Sequence, residues 1–187
     1  MPQPETTPTG SPSRLPAWTS PPWRLWPALA PLLVVPAAYL LDATGLGHLS
    51  SRGVQETAAL VLMPAAVLVY GLRYALGRDR LHLVLLALSI AFLCREVHFT
   101  GTHRGVYVAV ALIGVWCFVW RRSLLDGLRR NSRRTRWVVM MMWAYAVAML
   151  IQRRAFRVLP REGDLHIQME EMAENIAHLF LIVLGLV

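Results

Sequence analysis

Apolar and polar positions fall in long blocks along this chain rather than alternating. Apolar runs cover about residues 25–41, 54–76, 81–99, 106–120, 137–151 and 167–187, and short segments rich in Arg, Gly and His separate them. Most runs approach the roughly 20 residues that a helix needs to cross a hydrocarbon core about 30 Å thick. In such a core only a structure that satisfies its own backbone hydrogen bonds survives, so the runs predict helices. The expected fold is all-α: a polytopic integral membrane protein built as a six-transmembrane-helix bundle with short loops. Pro27, Pro31 and Pro36 punctuate the first run, which predicts a kink or a late start, and Pro64 lies inside the second.

Composition sharpens this picture. Apolar residues make up 56% of the 187, and charged residues only 16%. That balance is far from the soluble average, and it leaves no room for a separate soluble domain. Residues 1–22 are rich in Pro, Ser and Thr and carry no apolar period, so they read as a disordered tail. They lack the charged start and cleavage site of a signal peptide. Trp18, Trp23 and Trp26 stand where interfacial anchors belong. The membrane domain is therefore expected over 23–187.

The net charge of +8 comes entirely from Arg, with no Lys. These arginines sit between apolar runs, so the expected partners are the lipid bilayer and its anionic headgroups, met through the Arg-rich loops, and not nucleic acid. Homo- or hetero-oligomerisation is left open by the sequence. Arginines near the ends of the runs divide twelve to seven between the two sides. By the positive-inside rule this places both termini in the cytoplasm. All-Arg usage agrees with GC-rich coding, and the expected location is a bacterial plasma membrane. Cys94 and Cys117 fall toward opposite faces, too far apart for a disulfide.

Candidate chemistry concentrates in the last run. Glu171, Glu174 and His178 recur at i, i+3 and i+7, which puts them on one stripe of a helix bordered by Asn175. The third run also ends polar, with Arg95, Glu96 and His98, and the six-helix topology places that end on the same side as the start of the last helix. Ionisable groups inside a membrane are costly and mark function by default. Glutamate and histidine suit a divalent ion such as Zn or Fe. One expectation is therefore metal-assisted hydrolysis of a lipid-soluble or headgroup substrate, with His98, Glu174 and His178 as ligands and Glu96 and Glu171 as catalytic carboxylates. A second is cation- or proton-coupled transport along the same stripe. A third is non-catalytic: Arg95, Arg104, Arg153, Arg154 and Arg157 neutralise the acids in a structural salt-bridge layer of a membrane subunit.

Overall fold

A computed structural model describes residues 27–97 and 102–187, with the side chains of 102–104 left aside. The tail read over 1–22 and the candidate ligand His98 lie outside the described residues. The described residues form helices and turns, with no strand among them. In order the helices are α1 (Val34–Ala43), α2 (Arg52–Gly77), α3 (Arg80–Glu96), α4 (Thr102–Val119), α5 (Arg121–Arg130), α6 (Ser132–Gln152) and α7 (Glu162–Leu186). A single 3-10 turn, Gly47–Ser50, links α1 to α2.

Two of these helices, α2 and α6, are long and apolar enough to cross a membrane, and α4 with α5 makes a third if the bent pair counts as one span. The other helices fall short for separate reasons. At a rise of about 1.5 Å per residue, the 10 residues of α1 reach only half of a bilayer core, and the 17 residues of α3 fall just below it. With 25 residues α7 has ample length, but its apolar stretch is interrupted by Glu170, Glu171 and Glu174. The late start expected for the first run is present. A 3-10 turn at 27–28 and turns over 29–33 precede α1, which begins only at Val34, after Pro31 with its missing backbone N–H; Pro36 is tolerated in the first turn of α1, where that N–H has no helical partner.

The Arg-rich segment after Trp120, expected as a loop, is helical instead. It forms α5, set at 75° to the helix before it, and α6 begins two residues later. The Asn131 side chain accepts from the Arg134 backbone N–H at 3.1 Å and caps α6. Arg has a good intrinsic helix propensity, so a run of arginines need not break a helix.

The core is built around α7. One apolar cluster joins Met63, Ala66 and Tyr70 of α2, Leu85 of α3, Met140, Met141 and Ala144 of α6, and Ala177, Leu181 and Leu184 of α7. A second joins Val34 and Ala38 of α1, Val147, Ala148 and Ile151 of α6, and Leu165, Met169 and Ala173 of α7. Small residues on the contacting faces let the helix backbones come close, which supplies packing where lipid removes the usual hydrophobic drive. At Gly185 an added Cβ would lie 2.5 Å from Val69 Cγ1 and 3.2 Å from the Tyr70 ring. Beside it the buried Tyr70 hydroxyl donates to the Leu181 carbonyl at 2.6 Å. In contrast, α4 packs against α3 at the periphery and, among the described residues, contributes none to the buried core.

The bundle has two chemically distinct ends. At one, Asp79 caps α3 through the Leu81 N–H and accepts from Arg134 at 2.9 Å, and Arg73 donates to the Leu186 carbonyl. At the other, the Tyr39 hydroxyl donates to the Pro160 carbonyl, Arg161 pairs with Asp42 at 2.8 Å, and Ser50 bonds to Gln168. Asp42, His48, Glu56, Glu96 and the acids that open α7 all belong to this second end. Cys94 and Cys117 are both free.

Candidate functional site

Helix α7 carries the polar stripe, and three different neighbours receive it. Glu174 accepts two hydrogen bonds from the Arg95 guanidinium of α3, each 2.7 Å long. The Glu174 side chain is 14% exposed and that of Arg95 37%. Glu96 stands beside the same guanidinium, 3.9 Å from its Nε, with its own side chain 9% exposed. The next residue, Asn175, donates to both the backbone and side-chain oxygens of Gln55 on α2. Deeper along α7 is His178, 2% exposed. Its Nδ1 lies 2.9 Å from the Tyr145 hydroxyl of α6, and its ring sits 6.1 Å from that of Phe92. Its Nε2 is buried and has no partner among the described residues.

Glu171 is half-buried and makes no ion pair among the described residues. The charges of Glu174, Glu96, Glu56 and Glu170 all act on it. The cations of α2 and α3 are directed elsewhere: Arg52 pairs with Glu56 at 2.7 Å and Arg95 with Glu174. Glu170 takes a hydrogen bond from Gln152 and lies 3.7 Å from His166.

Of the five sequence-derived candidates, Glu96 and Glu174 meet at the Arg95 guanidinium between α3 and α7, Glu171 lies among the same carboxylates, and His178 lies deeper, against Tyr145 of α6 and Phe92 of α3. The sequence leaves open whether the third and last runs touch; here Arg95 of α3 reaches Glu174 of α7. Among the described residues no three His, Cys, Asp or Glu side chains are placed to hold a metal ion. Of the five arginines expected in a salt-bridge layer, the Arg104 side chain lies outside the described residues. Arg95 serves the layer, whereas Arg154 turns away to Glu162 at 2.7 Å. The partners Tyr145 and Gln55 escaped the sequence reading. A hydroxyl in the middle of an apolar run, and an amide in the first turn of another, were the available signals.

The first turn of α7, before its apolar stretch, holds a separate ionic lock. Glu162 is buried and is gripped by Arg154, with His166 Nδ1 at 3.1 Å. The Arg154 hydrogen bond holds its carboxyl below the usual carboxylate range despite burial. A depressed carboxyl pKa stabilises the fold above the unfolded value, and that contribution is lost as pH falls through the folded value. Hydrogen exchange in the turn over 153–161 is therefore expected to quicken below about pH 4 in the parent protein. In Glu162→Gln it should already be fast at neutral pH, with little further change on acidification.

These features define an all-helical protein with two, or up to three, helices able to cross a membrane and a charged layer between α3 and α7. No family model, curated protein or solved structure matches the chain.

Proposed function

We propose that the chain is a bacterial plasma-membrane protein of six passages, with both termini in the cytoplasm, whose polar layer binds a proton or small cation during coupled transport. In this reading the first passage is the short segment from Pro27 through α1, and α2, α3, α4, α6 and α7 supply the rest. The observation that carries it is Glu171, a half-buried acid among four other carboxylates with no cation in ion-pair distance among the described residues. Repulsion among such groups is relieved when one of them takes up a positive charge. Acids at membrane depth that face the bundle interior are the usual carriers of proton and ion relays. The Arg95–Glu174 pair holds α3 to α7 beside this acid, so the structural salt-bridge role and the transport role coexist. In proteoliposomes carrying imposed H⁺ or Na⁺ gradients, the parent protein is expected to dissipate at least one gradient. Glu171→Gln should slow that flux by about tenfold or more, the scale of losing the binding group itself. Absence of flux under every gradient, or parent-like flux in Glu171→Gln, would refute the transport reading.

Metal-assisted hydrolysis is a second reading, supported by the buried, partnerless Nε2 of His178. An imidazole held through its Nδ1 and offering its Nε2 is the arrangement of a metal-ligating histidine. Its companions would be Glu174, once released from Arg95, and His98. Protein purified after metal-replete growth should then hold stoichiometric Zn or Fe that His178→Ala loses. Metal-free parent protein removes this reading.

A further inference from the structure

The end of the bundle opposite the polar layer is strongly basic, and α5 is its most exposed part. Arg121, Arg122, Arg129 and Arg130 lie on α5, with Arg133, Arg134 and Arg136 in the first turns of α6 and Arg73, Arg78 and Arg80 around the α2–α3 turn. Asp79 and Asp126 are the acids of this end. Asp79 is held by Arg134 at 2.9 Å. Among the described residues, Arg122, Arg129, Arg130 and Arg133 pair with no acid, and all four are exposed.

Helix α5 is amphipathic. Leu124, Leu125 and Leu128 form one stripe, with Arg122, Asp126, Arg129 and Arg130 around the rest; Arg121 begins on the stripe but turns back to the Phe118 carbonyl and ring of α4. Leu124 and Leu128 are half-covered, whereas Leu125 remains 49% exposed. The 75° bend matters most here. If α4 runs across a bilayer, α5 lies close to the membrane plane. Trp120 marks the corner. It stacks on Trp116 at 5.4 Å, and the Arg80 guanidinium sits over its ring at 5.4 Å. Tryptophan at this level belongs at the headgroup boundary. A helix in the interface plane, with Leu toward the acyl chains and Arg toward the headgroups, binds anionic lipid.

We propose that α5 is an interfacial helix that binds anionic phospholipid headgroups through Arg122, Arg129, Arg130 and Arg133, with Leu125 inserted below them. The assignment uses the reading that α4 crosses the bilayer and is independent of transport. It also separates this end from the arginines of the α6–α7 turn. Arg153, Arg154 and Arg157 border a hollow of about 660 Å³ there, but Arg154 is engaged by Glu162 and no amphipathic helix accompanies them.

The test uses the full chain reconstituted in bilayers and electron paramagnetic resonance of spin-labelled lipids. Spin-labelled phosphatidylglycerol is expected to associate about fivefold or more tightly than spin-labelled phosphatidylcholine, the scale of a single basic side chain at a charged surface. The preference should weaken with salt. Replacing Arg122, Arg129 and Arg130 together by Gln should remove most of it, whereas replacing all three by Lys should keep it. Changing Arg153 and Arg157 to Gln should leave it intact, and circular dichroism of each variant confirms its helix content. Equal association of the two lipids, or a preference that survives the triple Gln variant, overturns the proposal. So does displacement of the labelled lipid by inorganic phosphate at matched ionic strength, which would assign the arginines to a soluble anion. Cysteine labelling of the two ends of α4 from opposite sides of the bilayer tests the crossing itself. A crossing α4 with no lipid preference would refute the α5 assignment alone.

Discussion

Arg95→Ala is expected to destabilise the fold by about 2–4 kcal/mol, and by more than Glu174→Ala does. Breaking a buried ion pair costs about 3–5 kcal/mol because an uncompensated charge stays behind, and the partial exposure of Arg95 lowers that figure. Which charge remains decides the asymmetry. Without Arg95, Glu174 loses both of its hydrogen bonds, and its side chain is only 14% exposed. Without Glu174, the long Arg95 side chain, 37% exposed, still has Glu96 beside it and can reach toward the headgroup region. Replacing both by apolar residues, as in Arg95→Met with Glu174→Leu, should recover most of the loss, since the desolvation of both charges disappears with them. Reversible unfolding in mixed micelles, followed by far-UV circular dichroism, measures all three variants. Equal losses for the two single variants would show that Glu96 takes no share of the guanidinium. The double variant also bears on function: if the pair is only a clamp, it should fold and retain any flux that depends on Glu171.

The second large effect is expected at the other end of the same helix. Gly185→Ala should cost about 1–3 kcal/mol, the usual range for overpacking, and Gly185→Leu more. A Cβ there meets Val69 Cγ1 at 2.5 Å and two atoms of the Tyr70 ring at 3.2 and 3.3 Å. Val69 is β-branched and stiff within a helix, and Tyr70 is fully buried and tied to the Leu181 carbonyl, so neither yields freely. Thermal unfolding of Gly185→Ala, alone and combined with Val69→Ala, separates the causes. Relief by Val69→Ala assigns the cost to that methyl. No relief assigns it to the Tyr70 ring and its hydrogen bond.

Much of the architecture was legible along the chain because each helix announces itself locally. The second and fifth apolar runs became α2 and α6 with boundaries shifted by a few residues. The prolines of the first run correctly announced the late start of α1. The larger share of arginines at one end was also readable, since it depends on where charges fall between runs and not on how the helices pack. The reading of the Arg-rich segment after Trp120 as a loop was incorrect. Charge density does not by itself imply irregular structure, and the Leu124–Leu125–Leu128 spacing carries a helical stripe.

The site was half legible. Helical periodicity alone put Glu171, Glu174 and His178 on one stripe, and the placement of span ends brought Glu96 to their level. Periodicity says nothing about which neighbour each member faces, because a helix surface turns 100° per residue and a small rotation exchanges partners. Tertiary packing made those choices. It gave Glu174 to Arg95, Asn175 to Gln55 and His178 to Tyr145, it turned Arg154 aside to Glu162, and it left Glu171 without an ion pair among the described residues. The sequence by itself determined that Glu171, Glu174 and His178 share one face of a helix, since that follows from spacing along one chain. Only the tertiary structure decided which acid is neutralised, because that depends on contacts between residues as far apart as Arg95 and Glu174.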